Sequence, residues 1–429
     1  MSRVVIVGGG LAGISVAGLL ASKGHQVVLF EKMFKLGGRA IAQERDGFRL
    51  NYGAHAVYAR DLSAMEKILS EIRVSVDFIT PDTNKIRYIT ESEEETEAPI
   101  NLSGVLHTKL LPKAHDKIDF VRSIVSILSS SSNHENGLSL QDWLDKKNWT
   151  GATKRLLLHF AATNFFLTQP GELPLSIFLH YYRRVLRSKH PVSYIVGGWG
   201  SMIDHMRLRL QQLGVEIHVQ TAITSLQFEH DRIKSVKTRN DVYEADIFVL
   251  CVPPSALKKL ITGTPLASCI LPYMSEQQNC AFVYDVALKN RIRDDISYIN
   301  DVKNHVFITD PSLYDQTCAP SNGQLLQAIA YIKPGSADDD EVLLERRNAI
   351  ESVLDRYYAG WRETLVFSRV VDQAVIQGIG WGIEQERLPI HFPEFANVFF
   401  AGDWCDAEGS ASDVAFHSAL KVASLLNVV

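Results

Sequence analysis

The chain has 429 residues, 46% of them hydrophobic, and a formal net charge of −5 at neutral pH. That length exceeds the size at which one core usually keeps growing, so two domains are expected, and the acidic balance argues against a nucleic-acid partner. Five scattered cysteines (Cys251, Cys269, Cys280, Cys318 and Cys405) form no CxxC pair, and their odd count does not suit a disulfide framework.

A reducing, cytoplasmic compartment fits this cysteine usage. No His/Cys cluster has metal-ligand spacing, which predicts no metal.

The β-branched run Val4 to Val7 leads into Gly8-Gly9-Gly10-Leu11-Ala12-Gly13. A small-residue helix follows, then a second apolar run, Gln26 to Phe30, ending at Glu31 and Lys32. Strand, glycine turn, helix, strand and acid make a dinucleotide-binding βαβ unit. Gly8 permits the tight turn, Gly10 lets the backbone approach a pyrophosphate, and Gly13 lets the helix pack on the sheet. The N–H groups of Leu11 and Ala12 at the helix start then face the phosphates. Glu31 is placed to accept hydrogen bonds from ribose hydroxyls. The uncharged run from Val4 through Ser22 has the look of a secretory signal or membrane span. Three consecutive glycines and the Lys23-Gly24-His25 turn make it instead a buried strand and its covering helix, with no targeting segment.

Asp46 to His55 reads as a hairpin-like strand and glycine turn containing Gly53 and Ala54. The acidic stretch Glu91 to Glu95 reads as an exposed loop, and Ser129 to Gly137 as a polar linker. Residues 138–190 read as helical and aromatic-rich. After Gly197-Gly198-Trp199-Gly200, apolar residues Met202, Ile203, Met206, Leu210 and Leu213 recur at helical spacing, with Gly214 as the stop. Strand-like runs follow at Val215–Val219, Ala222–Phe228, Arg232–Thr238 and Ala245–Val252. Residues 270–335 read mostly as strands. A helix is predicted from about Asp340 to Ala359, a strand at Asn397–Asp403, and a closing helix from Ser412 to Leu426.

The arrangement resembles the superfamily of flavin-containing amine oxidases, phytoene desaturases and protoporphyrinogen oxidases. Four blocks carry the likeness: GGGLAG with Glu31-Lys32; Leu36-Gly37-Gly38-Arg39; Gly197-Gly198-Trp199-Gly200 through Ile223 to Pro253; and Val398-Phe399-Phe400-Ala401-Gly402-Asp403 with its closing helix. The resemblance implies an α/β fold: a discontinuous Rossmann-like FAD-binding domain (1–75, 195–265 and 365–429) with an inserted α+β substrate-binding domain (76–194 and 266–364). It implies non-covalent FAD. Gly38 and Arg39 would lie at the pyrophosphate, Gly53 and Ala54 at the flavin-edge turn, and the Ile223 backbone at the adenine. Gly402 and Asp403 would lie near the ribityl chain or pyrophosphate. The closing helix would aim its N-terminus, near Asp413 and Val414, at the flavin.

The sequence departs from the family at several positions. Ala42 stands where a Ser or Thr is common, Asn51 where an acid is common, and Val414 would narrow the approach to the ring. Many amine oxidases place a lysine near flavin N5. The matching stretch here, Gln277 to Val283, has none, and no pair of amine-flanking aromatics is identified, although Trp381 and Trp404 are present. These departures favour desaturation, or another oxidation of an apolar or amphipathic small molecule, with O2 or another acceptor as reoxidant. An amine oxidase with an atypical site and a non-redox FAD protein or isomerase are the alternatives.

No catalytic side chain is assigned. His55 is either an acid/base at the ring or a structural hydrogen-bond partner. Cys405 and Cys280 read as inert thiols and Asp413 as an N-terminal helix acid. Phe178 to Lys189, with Arg183, Arg184 and Arg187, reads as a helix with one solvated basic face, with peripheral membrane contact as the alternative.

Overall fold

The computed structural model describes residues 1–52, 55–130, 137–274, 278–333, 335–378, 380 and 386–426. Gly53, Ala54 and Trp381 lie outside the described residues.

The opening run forms the strand Arg3–Val7, central in a five-stranded parallel sheet. Across that sheet the strands run Glu216–His218, Gln26–Phe30, Arg3–Val7, Ile247–Leu250 and Val398–Phe400. Val4, Val5 and Ile6 are wholly buried, as expected for a parallel strand covered on both faces. The helices Leu11–Ser22, Gly198–Gln212 and Ser412–Leu425 contribute Ile14, Met202, Met206, Leu210 and Phe416 to the same core. A three-stranded antiparallel sheet, Ser225–Glu229, Arg232–Lys237 and Val242–Glu244, joins it through Leu226, Ile233 and Val236. The Asn397 side chain ties this sheet to the last parallel strand: it accepts from Ile233 N–H at 3.1 Å and donates to the Ile233 carbonyl at 2.7 Å.

The second domain is a seven-stranded mixed sheet. Its order is Leu365–Gln377, Asn279–Leu288, Gln324–Tyr331, Val306–Thr309, Tyr298–Asp301, Ile86–Ile89 and Glu95–Glu97. Along Asn279–Leu288, Phe282, Tyr284 and Val286 pack toward the helix Asp340–Tyr357, whereas Ala281 and Val283 pack with Ala162 and Phe166. The two-residue strand period therefore serves two buried faces. Helices Ala114–Ser129, Leu140–Asp145, Gly151–Phe165 and Leu175–Arg187 build a further core around Phe120, Trp143, Leu157 and Phe178. A small sheet of Ala56–Tyr58, Val192–Ile195 and Phe78–Ile79 lies between these parts in the chain.

Two boundaries differ from the sequence reading. The strand Leu365–Gln377 was assigned to the dinucleotide domain, yet it pairs antiparallel along Asn279–Leu288, so the second sheet runs on to residue 377. Leu266 and Ile270, assigned to the insert, pack in the core of the parallel sheet. In both cases strand partner and core are chosen by long-range packing, which nearest neighbours in sequence do not report. The acidic stretch is an exposed turn followed by the charged edge strand Glu95–Glu97, a composition that discourages further strand pairing.

One buried ion pair joins the seven-stranded sheet to the strand Phe48–Asn51. Asp285 is wholly buried, and Arg369 Nε donates to it at 2.7 Å. Arg369 Nη2 also donates to the Asn51 carbonyl at 2.6 Å, and the guanidinium lies 4.3 Å from the centre of the Tyr52 ring. Gln327 Nε2 donates to Asp285 at 3.0 Å and to the same Asn51 carbonyl at 3.3 Å. Burial pushes the Asp285 carboxyl up, with the Arg369 charge opposing that shift. Asp285→Asn should therefore leave a buried cation without its counter-charge and destabilise the protein by roughly 3–5 kcal/mol. Urea denaturation followed by circular dichroism measures this; an unchanged midpoint would remove the pair from the structural account.

Candidate cofactor and substrate site

One cavity of about 800 Å³ lies where the glycine turn, the second sheet and the closing helix meet. Gly8, Gly10, Leu11, Ala12, Glu31 and Lys32 line it, as do Gly38, Arg39, Ile223, Gly402, Asp403 and Asp413. Its size is in the usual range for a buried small-molecule site.

The glycine turn is built by sterics. Gly8 has φ +109°, and a Cβ there would sit 2.8 Å from the Cys251 carbonyl oxygen. A Cβ on Gly13 would overlap the Gly8 carbonyl oxygen, which is why the helix can pack directly on the turn. Gly13 thus shapes the site from behind, without lining it. Gly10 is the reverse case: its Cβ would have no neighbour within 4 Å and would project into open space. The helix behind it has no side-chain cap and no acid in its first turn, so its orphan N–H donors are available to an anion.

Glu31 is buried and engaged on both oxygens. Oε2 accepts from Gly9 N–H at 2.7 Å and Oε1 from Met33 N–H at 2.9 Å. The carboxylate therefore braces the turn and still has lone pairs for a ligand. The Gly37-Gly38-Arg39 step is held on the turn by Gly37 N–H donating to the Gly9 carbonyl at 2.7 Å. A Cβ on Gly38 would come within 3.1 Å of Gly10 Cα. Arg39 Nη2 donates to Asp403 Oδ1 at 2.5 Å, and Asp403 Oδ2 accepts from Gly378 N–H at 2.6 Å. Ile223 lies between Thr221, whose N–H donates to the Glu31 carbonyl, and Thr224, whose N–H donates to the Lys237 carbonyl.

The closing helix starts after Ala411, which has φ +48° and whose N–H donates to Gln377 Oε1 at 3.0 Å. Ser410, Ala411 and Ser412 open on the cavity. Val414 does not: it is wholly buried in the core, so the expected narrowing by Val414 is corrected. Asp413 is not a bare helix acid, because Arg184 Nη1 donates to it at 2.9 Å. Of the arginines on the helix Leu175–Arg187, Arg183 and Arg184 are half-buried, and Arg183 donates to the Ile127 carbonyl at 2.9 Å, whereas Arg187 is exposed and donates to the Leu128 carbonyl at 3.2 Å.

His55 does not line the cavity; its ring lies 5.3 Å from that of Tyr194. Cys405 is wholly buried and Cys280 nearly so, and burial raises both thiols, which matches inert roles. Among the described residues no group of three or more His, Cys, Asp or Glu could hold a metal ion.

The site also holds residues the sequence did not single out. The second domain supplies Asn164, Phe166, Tyr181, Gln278, Val375 and Ile376 to the wall, none of them charged. Asn164 Oδ1 accepts from Tyr181 Oη at 3.1 Å, and its Nδ2 donates to Tyr182 Oη at 2.7 Å. The Tyr58 ring lies 5.3 Å from that of Tyr181. Burial pushes the Tyr58 phenol up to about 12 and raises Tyr181 and the Cys251 thiol as well. Tyr181 belongs to a segment whose aromatic content was visible, but nothing in sequence announced Asn164 or Tyr58.

A discontinuous Rossmann-type domain with an open glycine turn and an uncapped helix N-terminus defines a dinucleotide-binding fold. The family model of flavin containing amine oxidoreductases matches residues 11–427. The chain belongs to that family, and it is an FAD-dependent oxidoreductase by class. It is 22% identical to a 4,4'-diapolycopen-4-al dehydrogenase of Metabacillus indicus, over 99% of this chain and 97% of that protein. It is 25% identical to a 15-cis-phytoene desaturase of Glycine max over 60% of this chain, spanning about half (49%) of that relative's length. The crystal structure of an oxidoreductase from Methanosarcina mazei has the same fold, with TM-score 0.78 and 16% identity over 98% of this chain and 100% of that one.

The residues present suit FAD. The open face of Gly10 and the uncapped helix would take the pyrophosphate, with Arg39 beside it and Glu31 at the ribose.

Gly10→Ala should leave the fold intact, because its Cβ meets nothing, yet weaken FAD binding by at least about tenfold through steric exclusion. Gly13→Ala should instead lower the melting temperature of the apoprotein. Flavin fluorescence titration and differential scanning fluorimetry separate the two, and equal melting losses would refute the assignment.

Because its folded pKa lies above the unfolded value of 10, Tyr58 contributes stability that is complete below pH 10 and is lost as pH rises through about 12. That contribution is about 2–3 kcal/mol. Melting temperature should fall over this window, and fall less steeply in Tyr58→Phe.

Proposed function

We propose that the protein removes a hydride from an apolar or amphipathic organic molecule, in the manner of a desaturase or dehydrogenase, and is reoxidised by O2 or another acceptor. One observation carries this reading: the wall supplied by the second domain has no charged side chain. A protonated amine against that wall would lose its hydration and gain no carboxylate from it, and the cavity's Asp403 and Asp413 are already paired with Arg39 and Arg184. An apolar chain loses nothing there. The family's N5 lysine has no counterpart on the strand Asn279–Leu288, where the Asn279 side chain is engaged with the Phe165 carbonyl at 2.7 Å. The named activities of the carotenoid-acting relatives run in the same direction.

FAD, when bound, supplies the hydride acceptor. The chain's own residues position the substrate and exclude water. Phe166, Val375 and Ile376 provide the dry wall, and the Tyr181–Asn164–Tyr182 hydrogen bonds hold the aromatic side chains in place. The phenols of Tyr58 and Tyr181 are neutral donors at physiological pH, and burial extends that neutrality to more alkaline pH. Positioning and desolvation therefore carry the protein's share of the chemistry.

Anaerobic titration of the flavoprotein tests the reading. Carotenoid-like polyenes or other apolar substrates with activated C–H bonds should bleach the flavin absorbance, whereas primary and secondary amines should not. Bleaching by amines, with peroxide release in air, would favour an amine oxidase, and silence from every substrate would favour a non-redox role. Asn164→Ala should slow flavin reduction by roughly tenfold by freeing Tyr181, with FAD affinity unchanged.

A further inference from the structure

Asparagine side chains decide which way two enclosed phenols donate. On the helix Gly151–Phe165, Asn164 Nδ2 donates to the Phe160 carbonyl at 3.0 Å and to Tyr182 Oη at 2.7 Å, and its Oδ1 accepts from Tyr181 at 3.1 Å. The Phe160 carbonyl fixes which end of this amide carries the N–H groups. Tyr182 is thus an acceptor toward Asn164, and its own proton is left to donate elsewhere. Asn300 treats Tyr298 the same way: Nδ2 donates to Tyr298 Oη at 2.9 Å and to Thr163 Oγ1 at 3.0 Å. Tyr331 Oη, wholly enclosed, has no hydrogen-bond partner. Among the described residues no carbonyl or carboxylate takes these three protons. Buried tyrosine hydroxyls ordinarily find a partner, so three free donors in one region point to a ligand.

These phenols gather at one end of the cavity, around Tyr58, which lines it. Burial raises the phenols of Tyr88, Tyr182, Tyr194, Tyr298 and Tyr331, and the nearby Tyr58 phenol adds to each shift. Tyr182 and Tyr298 are only half-buried by area, so the surface they keep opens on that enclosed space and not on bulk water. Phe166 stands at its edge. It lines the cavity, and its ring lies 5.9 Å from that of Phe307 and 6.1 Å from that of Tyr331. It is held at φ +57°, a left-handed backbone that a bulky residue adopts only where the surroundings impose it. The imidazoles beside the phenols are neutral. His159 meets the Tyr88 ring and His305 the Tyr331 ring, and burial lowers both, His159 to about 3.

We propose that this end of the cavity receives a neutral oxygen, a carbonyl or hydroxyl carried by an otherwise apolar substrate, and that the phenols of Tyr58, Tyr182, Tyr298 and Tyr331 supply its hydrogen bonds. Donors without acceptors suit an oxygen that brings lone pairs. A carboxylate would be desolvated against neutral groups alone, and a plain hydrocarbon would leave the donors unpaired. The inference rests on the hydride-removal reading of the cavity and narrows its substrate from apolar to oxygenated.

Equilibrium binding to the oxidised, FAD-loaded protein tests this without turnover, with perturbation of the flavin absorbance as the readout. Benzylacetone and the alcohol made by reducing it should bind at least about tenfold more tightly than butylbenzene, which has the same shape without the oxygen. Hydrocinnamate, the matching carboxylate, should bind more weakly than benzylacetone. Tyr182→Phe and Tyr298→Phe should each cut the preference for ketone over hydrocarbon by roughly fivefold and leave butylbenzene affinity unchanged. Tyr331→Phe should do the same, and because the Oη it removes has no partner, the melting temperature of the ligand-free protein should not fall. Equal affinities for ketone and hydrocarbon, tightest binding by the carboxylate, or a preference that survives in all three variants overturns the proposal. A selective pocket in a protein whose flavin no substrate bleaches would overturn the hydride reading alone. Bleaching by polyenes, with equal ketone and hydrocarbon affinities, would overturn the pocket alone.

Discussion

A buried carboxylate holds the site together. Asp403 follows the last strand of the parallel sheet and is almost wholly enclosed, so its charge requires partners. It finds them in two segments remote in sequence: the Arg39 guanidinium from the glycine-rich step near the start, and the Gly378 N–H at the end of the last strand of the second sheet. Satisfying one anion therefore brings both sheets to a single point. The cavity is the space left beside that point, bounded by the glycine turn on one side and the uncapped closing helix on the other.

The two ends of the cavity obey different physics. At the glycine turn, backbone N–H donors, a helix terminus, Arg39 and Glu31 offer strong, directional interactions suited to a charged and hydroxylated ligand. At the second-domain wall the side chains are aromatic, aliphatic or neutral amide. A ligand that is polar at one end and planar and apolar at the other matches this gradient. Under the proposed function the cofactor would be anchored by electrostatics, and the reacting partner would be left to shape and dryness.

Long-range ion pairs give the arrangement its rigidity. Arg184 meets Asp413 across 229 residues of chain, and Arg369 bridges Asp285 to the Asn51 backbone carbonyl. Each pair is enclosed enough that removing one partner costs more than the pair contributes as a whole. The Arg184–Asp413 pair fastens two helices that lie far apart in the chain, whereas Asp285–Arg369 lies across two paired strands and ties them to the Asn51 backbone.

How much of this was legible in the sequence follows from the range of each interaction. The glycine turn was readable because its constraints are steric and local: Gly8, Gly10 and Gly13 each meet, or avoid, atoms within the same βαβ unit or its adjoining strand. The strands, the closing helix and the family followed from periodicity and from motifs at fixed order. Other features depend on which distant segments meet. Leu365–Gln377 reads equally well beside either sheet until its partner Asn279–Leu288 is known. Val414 was expected at the cavity because it matches a motif, but the helix phase turns it into the core. Arg184 looked solvated because sequence shows a helix face but not Asp413 opposite it. By itself the sequence determined the glycine turn proposed as the cofactor's anchor, since that turn is made of backbone and needs only glycines at set spacings. The tertiary structure alone decided the uncharged wall, the paired arginines and the gathered phenols, because each is defined by what another part of the chain places, or fails to place, against it.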